Sequence, residues 1–207
     1  MRHDSVGRPR SSSRGILEDA ALELFIEQGY SATTIEQITR RAGVGRTTFF
    51  NYFESKSDLL WLEVDSGIDR VIDELRLVPQ GAPPIAAIRE VMLRVAAEFG
   101  VDRVPLALTQ GDLIGSEGEA AASGLTRFAR RADVLAGFLA PRFGARRGDL
   151  VILAAANALA GAISAAWEVW AHDGIARRPL SEYVAEAFDL VVVGVERSLP
   201  SWSPRLI

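Results

Sequence analysis

The chain has 207 residues, of which 48% are hydrophobic and 24% charged, and its formal net charge is −4. These values are ordinary for a globular protein that is long enough for a small domain and a larger one with its own core. The absence of cysteine excludes a disulfide framework and a thiolate metal site.

The N-terminal segment is rich in proline, serine, glycine and arginine, and we predict a flexible basic arm over residues 1–14. Its arginines are Arg2, Arg8, Arg10 and Arg14. Such an arm can lie along phosphates or enter a minor groove, and an unstructured tail without a role is the alternative. The segment has no apolar run of the secretory kind, so we expect a cytoplasmic bacterial protein.

Helical periodicity extends over the rest of the chain, and no segment alternates as a half-buried strand does. We therefore predict an all-α fold of about nine helices. It comprises an N-terminal three-helix domain over residues 15–60, a larger helical domain over 61–199 and a C-terminal tail over 200–207. Outside the region considered next, helices are predicted at residues 11–28, 56–77, 84–100, 105–114, 117–140, 148–172 and 180–199.

Residues 34–60 have the pattern of a helix-turn-helix. Thr34 stands three residues before Gln37, which is the spacing of a capping box at the start of a helix. Gly43 is predicted to end this helix, because glycine readily adopts the left-handed backbone conformation found there. In the second helix Phe49 and Phe53 are four residues apart and are predicted to face the core. The side chains predicted to face outward are those of Arg46, Thr47, Phe50 and Asn51.

These outward groups suit the base edges, thymine methyls and phosphates of DNA in the major groove. Ser55 is predicted to cap a further helix, whose N-terminus and Lys56 would form a phosphate site. The alternative is a small three-helix core with ordinary polar surface residues. The predicted DNA-contacting set is completed by Thr33, Thr34, Gly45, Tyr52 and Lys56.

Residues 16–60 resemble the DNA-binding domain of TetR-family transcriptional repressors. The family usually has Ser where Gly45 stands and Tyr where Phe50 stands, so the contacts at these positions differ here. The Phe-Phe pair followed by Tyr-Phe also resembles a subgroup that includes mycofactocin-associated regulators. The matching elements are Ala20–Phe25, Gln28–Tyr30, Ala32–Ile35, Ala42–Val44 and Phe49–Lys56.

The resemblance implies a homodimer formed by the last two helices, and an effector pocket enclosed by helices 4 to 7. In this family, effector binding moves helix 4 and changes the spacing of the two recognition helices. A two-fold dimer is also what a palindromic double-stranded DNA operator requires.

The stretch Leu150–Trp167 contains no charged residue and reaches the length of a transmembrane candidate. Alanine dominates it, so we interpret it as a buried helix and expect no membrane partner. Alanine recurs at every fourth position from 154 to 166, which gives a smooth face for close helix packing. We predict a homodimer through residues 148–172 and 180–199.

Large and polar side chains in the second domain are compatible with a pocket for a small, largely apolar effector. Simpler interpretations exist, since aromatic residues often form core and arginines often face solvent. Asn157 could equally bond its counterpart in a dimer, and the identity of the effector stays open. The predicted ligand-binding set is Trp61, Phe99, Arg127, Phe128, Arg131, Asn157 and Trp167.

Catalytic patterns are missing from the sequence. His172 and Asp173 are adjacent and would diverge on a helix, and no nucleophile elbow, P-loop or dinucleotide fingerprint occurs. We therefore expect no enzyme, no cofactor and no metal site. The expected function is that of a DNA-binding repressor released from its operator by an effector. A DNA-binding protein without a ligand, or one controlled by a protein partner, is the alternative.

Overall fold

A computed structural model of the chain describes residues 13–100, 108, 117–174 and 177–201. These residues form eight α-helices and contain no strand, which confirms the all-α prediction. The helix predicted over 105–114 lies outside them except for Leu108, and so does the arm up to residue 12. The helices are α1 (Ser13–Gln28), α2 (Ile35–Ala42), α3 (Arg46–Phe50), α4 (Leu62–Leu77), α5 (Pro84–Ala97), α6 (Glu117–Phe143), α7 (Leu150–His172) and α8 (Leu180–Ser198).

The chain divides into two compact units. The first comprises residues 1–60 and 110–120, and the second comprises residues 61–109 and 121–207. Leu60 and Trp61 are consecutive residues on either side of this division.

The core of the first unit is built from helix faces and aromatic rings. Leu17 and Phe25 of α1 are buried, and the Phe25 ring lies 5.1 Å from that of Tyr30. The Phe49 ring lies 5.3 Å from the Phe53 ring, and both side chains are buried as their spacing predicts. Together these contacts give the short helices α2 and α3 a fixed support.

The ends of α2 follow the local sequence rules. Thr34 accepts a hydrogen bond from the backbone N–H of Gln37, and the Gln37 side chain accepts one from the backbone N–H of Thr34. Gly43 has φ +67° in the left-handed region, and its N–H bonds the last carbonyls of the helix. The predicted capping box and glycine stop are both confirmed.

The predicted continuous helix over residues 56–77 is wrong at its start. Residues Lys56–Leu60 form a 3₁₀ helix, and α4 begins only at Leu62. Ser55 does not act as the predicted side-chain cap, because its hydroxyl bonds the hydroxyl of Ser57. The carboxylate of Asp58 instead accepts hydrogen bonds from the backbone N–H groups of Glu54 and Ser55.

In the second unit, α8 packs against α7 and α5, and α4 packs against α5. Fully buried side chains from several helices fill the space between them. They include Ile88 of α5, Leu135 and Leu139 of α6, and Ile152 and Leu159 of α7.

Helix α7 is 23 residues long and, by length and composition, apolar enough to cross a membrane. Its inner face is buried in the second unit, which favours the interpretation as a core helix. The alanine row at every fourth position does not form one smooth outer face, because it begins exposed at Ala154 and ends buried at Ala166. A helix of 3.6 residues per turn rotates such a row steadily around its axis.

The left-handed backbone of Gly43 gives a test of this geometry. A Cβ at this position meets no atom within 4 Å, so any cost of Gly43→Ala comes from the backbone alone. We expect a loss of about 1–2 kcal/mol in the free energy of unfolding, because a Cβ disfavours positive φ. Gly43→Asn is the control and should lose less, since asparagine tolerates this region. Urea unfolding measures both variants, and an alanine variant as stable as the parent would contradict the geometry.

Candidate nucleic-acid interface and internal cavity

Helix α3 presents one face to the core and the other to solvent. Phe49 is fully buried, whereas Phe50 is 46% exposed. The side chains of Arg46, Thr47 and Asn51 are exposed as well, as are Gly45 and Tyr52. The Arg46 guanidinium lies 5.5 Å from the centre of the Phe50 ring, so charge and ring share one surface.

The charges of the first unit single out Arg46. The other described basic side chains are held by protein oxygen atoms: Arg14 by Glu18, Arg40 by Glu36, Arg41 by Glu23 and Glu27, and Lys56 by two carbonyls. The hydrogen bonds from Arg41 hold the pKa of Glu27 below its usual range. Within the described part of this unit, Arg46 is the basic side chain that neither makes an ion pair nor donates to a protein oxygen atom, so its charge is available to a partner outside the chain.

Two predicted phosphate contacts differ from expectation. Thr33 is 1% exposed, and its hydroxyl donates to the carbonyl of Gly29 at 2.7 Å, so its side chain cannot reach DNA. The prediction for Thr33 is wrong, because this hydroxyl ties the turn to the end of α1. Thr34 is exposed, although its hydroxyl also caps α2.

The ammonium group of Lys56 has a structural role that the sequence did not indicate. It donates to the carbonyls of Tyr30 and Thr33, each at 2.8 Å, and lies 3.9 Å from the centre of the Tyr30 ring. The predicted phosphate site at an α-helix N-terminus is absent here, because residues 56–60 form a short 3₁₀ helix. A contact between Lys56 and phosphate stays a prediction.

The second unit contains two cavities that share part of their wall. The outer one has a volume of about 350 Å³ and the inner one about 30 Å³. Val64, Arg131 and Trp167 line both. The outer wall includes Trp61, Arg127 and Phe128 of the predicted ligand set, and the inner wall includes Phe99.

Polar contacts join the start of α4 to α6 beside the outer cavity. Asp65 accepts two hydrogen bonds from Arg127, at 2.9 and 2.6 Å. The indole N–H of Trp61 donates to the hydroxyl of Ser123 at 2.8 Å. A Cβ on Gly124 would lie 3.0 Å from the Trp61 ring, so glycine permits this close approach.

Asn157 was wrongly predicted as a pocket residue. Its side chain is exposed on α7 and donates to the carbonyl of Leu153. Sequence reasoning also missed residues that shape the cavity region, namely Asp65, Ser123 and Ser164. Single small polar residues carry little signal in a sequence, because their role depends on a distant partner.

Comparison with known proteins identifies both parts of the chain. Residues 17–61 match the bacterial regulatory proteins of the TetR family, and residues 82–196 match the MftR C-terminal domain. The chain belongs to the TetR family of transcriptional regulators. It is a DNA-binding regulator of transcription, and its relatives are regulators and not enzymes.

Individual relatives agree with this assignment. The chain is 28% identical over 198 residues to a Mycobacterium tuberculosis protein named as the mycofactocin biosynthesis transcriptional regulator MftR, covering 95% of this chain and 98% of that one. Thermus thermophilus FadR, solved in complex with lauroyl-CoA, has a TM-score of 0.55 and 26% identity, with 94% and 98% coverage. A SmeT–triclosan complex shares the fold, with a TM-score of 0.54, 19% identity and 89% and 91% coverage.

Replacing Lys56 by methionine tests the structural role of its ammonium group in this TetR-family regulator. Lys56→Met keeps much of the aliphatic stem but removes two charged hydrogen bonds to the Tyr30 and Thr33 carbonyls. We expect the free energy of unfolding of the first unit to fall by about 1–3 kcal/mol. Hydrogen exchange of α2 and α3 amides measures this change.

The control for this experiment is Arg40→Met, which removes an exposed ion pair to Glu36. It should change the same free energy by no more than about 0.5 kcal/mol. Equal effects of the two substitutions would show that Lys56 does not fasten the turn.

Proposed function

We propose that this regulator is a homodimeric repressor that binds a palindromic operator through α3 and leaves it when a small effector enters the second unit. The observation that carries the proposal is the exposed face of α3, where Arg46 stands without a carboxylate partner among the described residues. A short helix with one unbalanced guanidinium on its outer face suits the negative potential and the acceptor groups of a major groove.

The side chains of α3 have different roles in this proposal. Arg46 donates to guanine acceptors or to a phosphate, and Asn51 offers an amide for an adenine edge or a phosphate. Phe50 has no hydroxyl, so it makes an apolar contact such as that with a thymine methyl. The exposed hydroxyl of Tyr52 and the backbone at Gly45 lie next to this face and are assigned to phosphates.

An apolar surface on α7 and α8 supports the dimer. Leu150 and Val169 of α7 are 84% and 56% exposed, and Leu190 and Val193 of α8 are 86% and 52% exposed. Leu190 and Val193 are three residues apart and so share one face of α8, and contiguous exposed apolar side chains mark interaction surfaces. Two copies that pair these faces would form a four-helix arrangement with two-fold symmetry.

The cavities support control by a small molecule. The outer volume of about 350 Å³ lies at the lower end of the ~300–1,000 Å³ range of ligand sites. Fold relatives were solved with lauroyl-CoA and with triclosan, so the fold accommodates ligands with large apolar parts. An open cavity favours the effector hypothesis over control by a protein partner or over ligand independence.

The contacts at the start of α4 provide a route for the response. Trp61 bonds Ser123 of α6, and Asp65 bonds Arg127 in the cavity wall. Trp61 directly follows Leu60 of the DNA-binding unit. A ligand that displaces the Trp61 ring would shift the first turn of α4. That shift would alter the position of α3 relative to its copy in the dimer and so lower operator affinity.

Substitution of Arg46 tests the DNA-binding face. We expect Arg46→Ala to weaken binding to the operator by about 1–3 kcal/mol, or roughly 5- to 150-fold, and to relax sequence preference. Fluorescence anisotropy with a labelled operator fragment measures the affinity. The control is Arg76→Ala, because Arg76 is an exposed arginine of the second unit paired with Asp73. If both variants bind like the parent, α3 is not the reading helix.

Substitution of Leu190 tests the dimer surface. A carboxylate in the centre of an apolar interface is costly, so Leu190→Glu should weaken dimerisation by at least about 2 kcal/mol, or roughly thirtyfold. Leu77→Glu is the matched control, because Leu77 is 78% exposed at the end of α4, far in sequence from the proposed interface. Sedimentation velocity distinguishes monomer from dimer. A dimer unaffected by Leu190→Glu would place the interface elsewhere.

A further inference from the structure

Arg131 on α6 is a charged side chain in an almost fully buried position. It is 8% exposed, and its Nη1 donates to the hydroxyl of Ser164 at 2.7 Å. Arg131 makes no ion pair with any described carboxylate. The nearby carboxylate of Asp65 is engaged by Arg127, through two hydrogen bonds at 2.9 and 2.6 Å.

The charge of Arg131 is therefore poorly compensated inside the chain. Burial lowers the pKa of Arg131 to about 10, while the charge of Asp65 acts in the opposite direction. The guanidinium is still positive at neutral pH, so two buried arginines face one carboxylate. A buried charge without a partner is strongly unfavourable, and an anionic ligand is a natural source of compensation.

The position of Arg131 points to where such a ligand would lie. Arg131 lines both the outer cavity of about 350 Å³ and the inner cavity of about 30 Å³. The neighbouring outer wall is mainly apolar, with Trp61, Phe128 and Trp167. Among the described residues that line this wall, Glu168 carries the carboxylate, and its side chain is exposed.

We infer that the outer cavity binds an organic monocarboxylate, whose anionic group pairs with Arg131 and whose apolar body lies among the aromatic side chains. This inference rests on the proposed effector site and specifies its ligand class. A guanidinium has five N–H donors, and the bond to Ser164 leaves donors for a bidentate carboxylate. One negative charge matches the guanidinium of Arg131, which has no carboxylate partner among the described residues, whereas a phosphate dianion would bring a second negative charge into a wall that already holds Glu168.

Ser164 has a supporting role in this site. Its hydroxyl holds one nitrogen of the guanidinium at 2.7 Å and so limits how the planar group can turn. The same hydroxyl can donate its own proton to a bound carboxylate. Ser164 is thus a positioning residue for Arg131 and a second contact for the anion.

The test compares acids with neutral molecules of the same shape. Octanoate and phenylbutyrate are titrated into the full-length protein beside their primary amides and beside octyl phosphate. Calorimetry and quenching of the Trp61 and Trp167 fluorescence report binding, since both rings line the cavity. We expect each acid to bind about tenfold or more tightly than its amide, because the amide lacks the charge. Octyl phosphate should bind more weakly than octanoate.

Variants of single arginines test whether the preference for the acid over the amide depends on Arg131. Arg131→Met should remove the difference between acid and amide, and Arg130→Met should retain it, because Arg130 is exposed and paired with Asp69. Without ligand, Arg131→Met should melt at the same or a higher temperature, since a buried unpaired charge is removed. Marked destabilisation of this variant would instead indicate a purely structural arginine and would overturn the inference.

Three further binding results would each contradict the inferred site. Equal affinity for acid and amide, tighter binding of octyl phosphate than of octanoate, or no binding of either acid at millimolar concentration would each contradict a monocarboxylate site. Operator binding is measured separately on the same samples. If the acids bind through Arg131 but do not release DNA, the carboxylate site stands and the proposed effector response fails.

Discussion

Burial of the Phe49 ring sets the orientation of α3, on which the proposed DNA-binding face depends. A helix of five residues is too short to be stable alone, so tertiary packing decides its position. The Phe49 ring contacts Phe53 at 5.3 Å and meets the Phe50 ring edge-on at 5.4 Å. With Phe49 inside, Thr47 lies on the opposite side of the helix and faces solvent, and Arg46 is exposed at the first residue of the helix. One aromatic residue in the core thus determines which side chains are available to read a groove.

In the second unit two buried arginines lie near one carboxylate, that of Asp65, which is paired with only one of them. Asp65 forms a hydrogen-bonded ion pair with Arg127, whereas it interacts with Arg131 only by longer-range electrostatic attraction. Asp65 belongs to the first turn of α4, which follows Trp61 and the chain of the DNA-binding unit. In the proposed response, a ligand that changes the charge balance of the cavity acts on groups held by this turn.

Helix caps could be predicted from the sequence, because they depend on neighbouring residues. Contacts between residues far apart in the sequence could not be predicted in this way. The cap at Thr34 and the stop at Gly43 depend on neighbours within a few residues, and both were predicted. The burial of Thr33 and the structural role of Lys56 were not predicted, because the Thr33 hydroxyl bonds the carbonyl of Gly29 and Lys56 bonds carbonyls 23 and 26 residues away. Asn157 was a candidate both for the pocket and for a contact in a dimer, and the periodicity of an apolar helix does not tell an internal face from an exposed one. The cavity walls were predicted in part, since large aromatic side chains stand out in a sequence and small polar ones do not.

Footprinting of the purified regulator on DNA from its own upstream region, at several salt concentrations, tests whether a dimer recognises a specific DNA sequence. We expect a protected palindrome with two half-sites about one helical turn apart or a multiple of it, and an affinity that falls steeply with salt. Absence of any binding at low salt, or uniform binding without a preferred sequence, would contradict it.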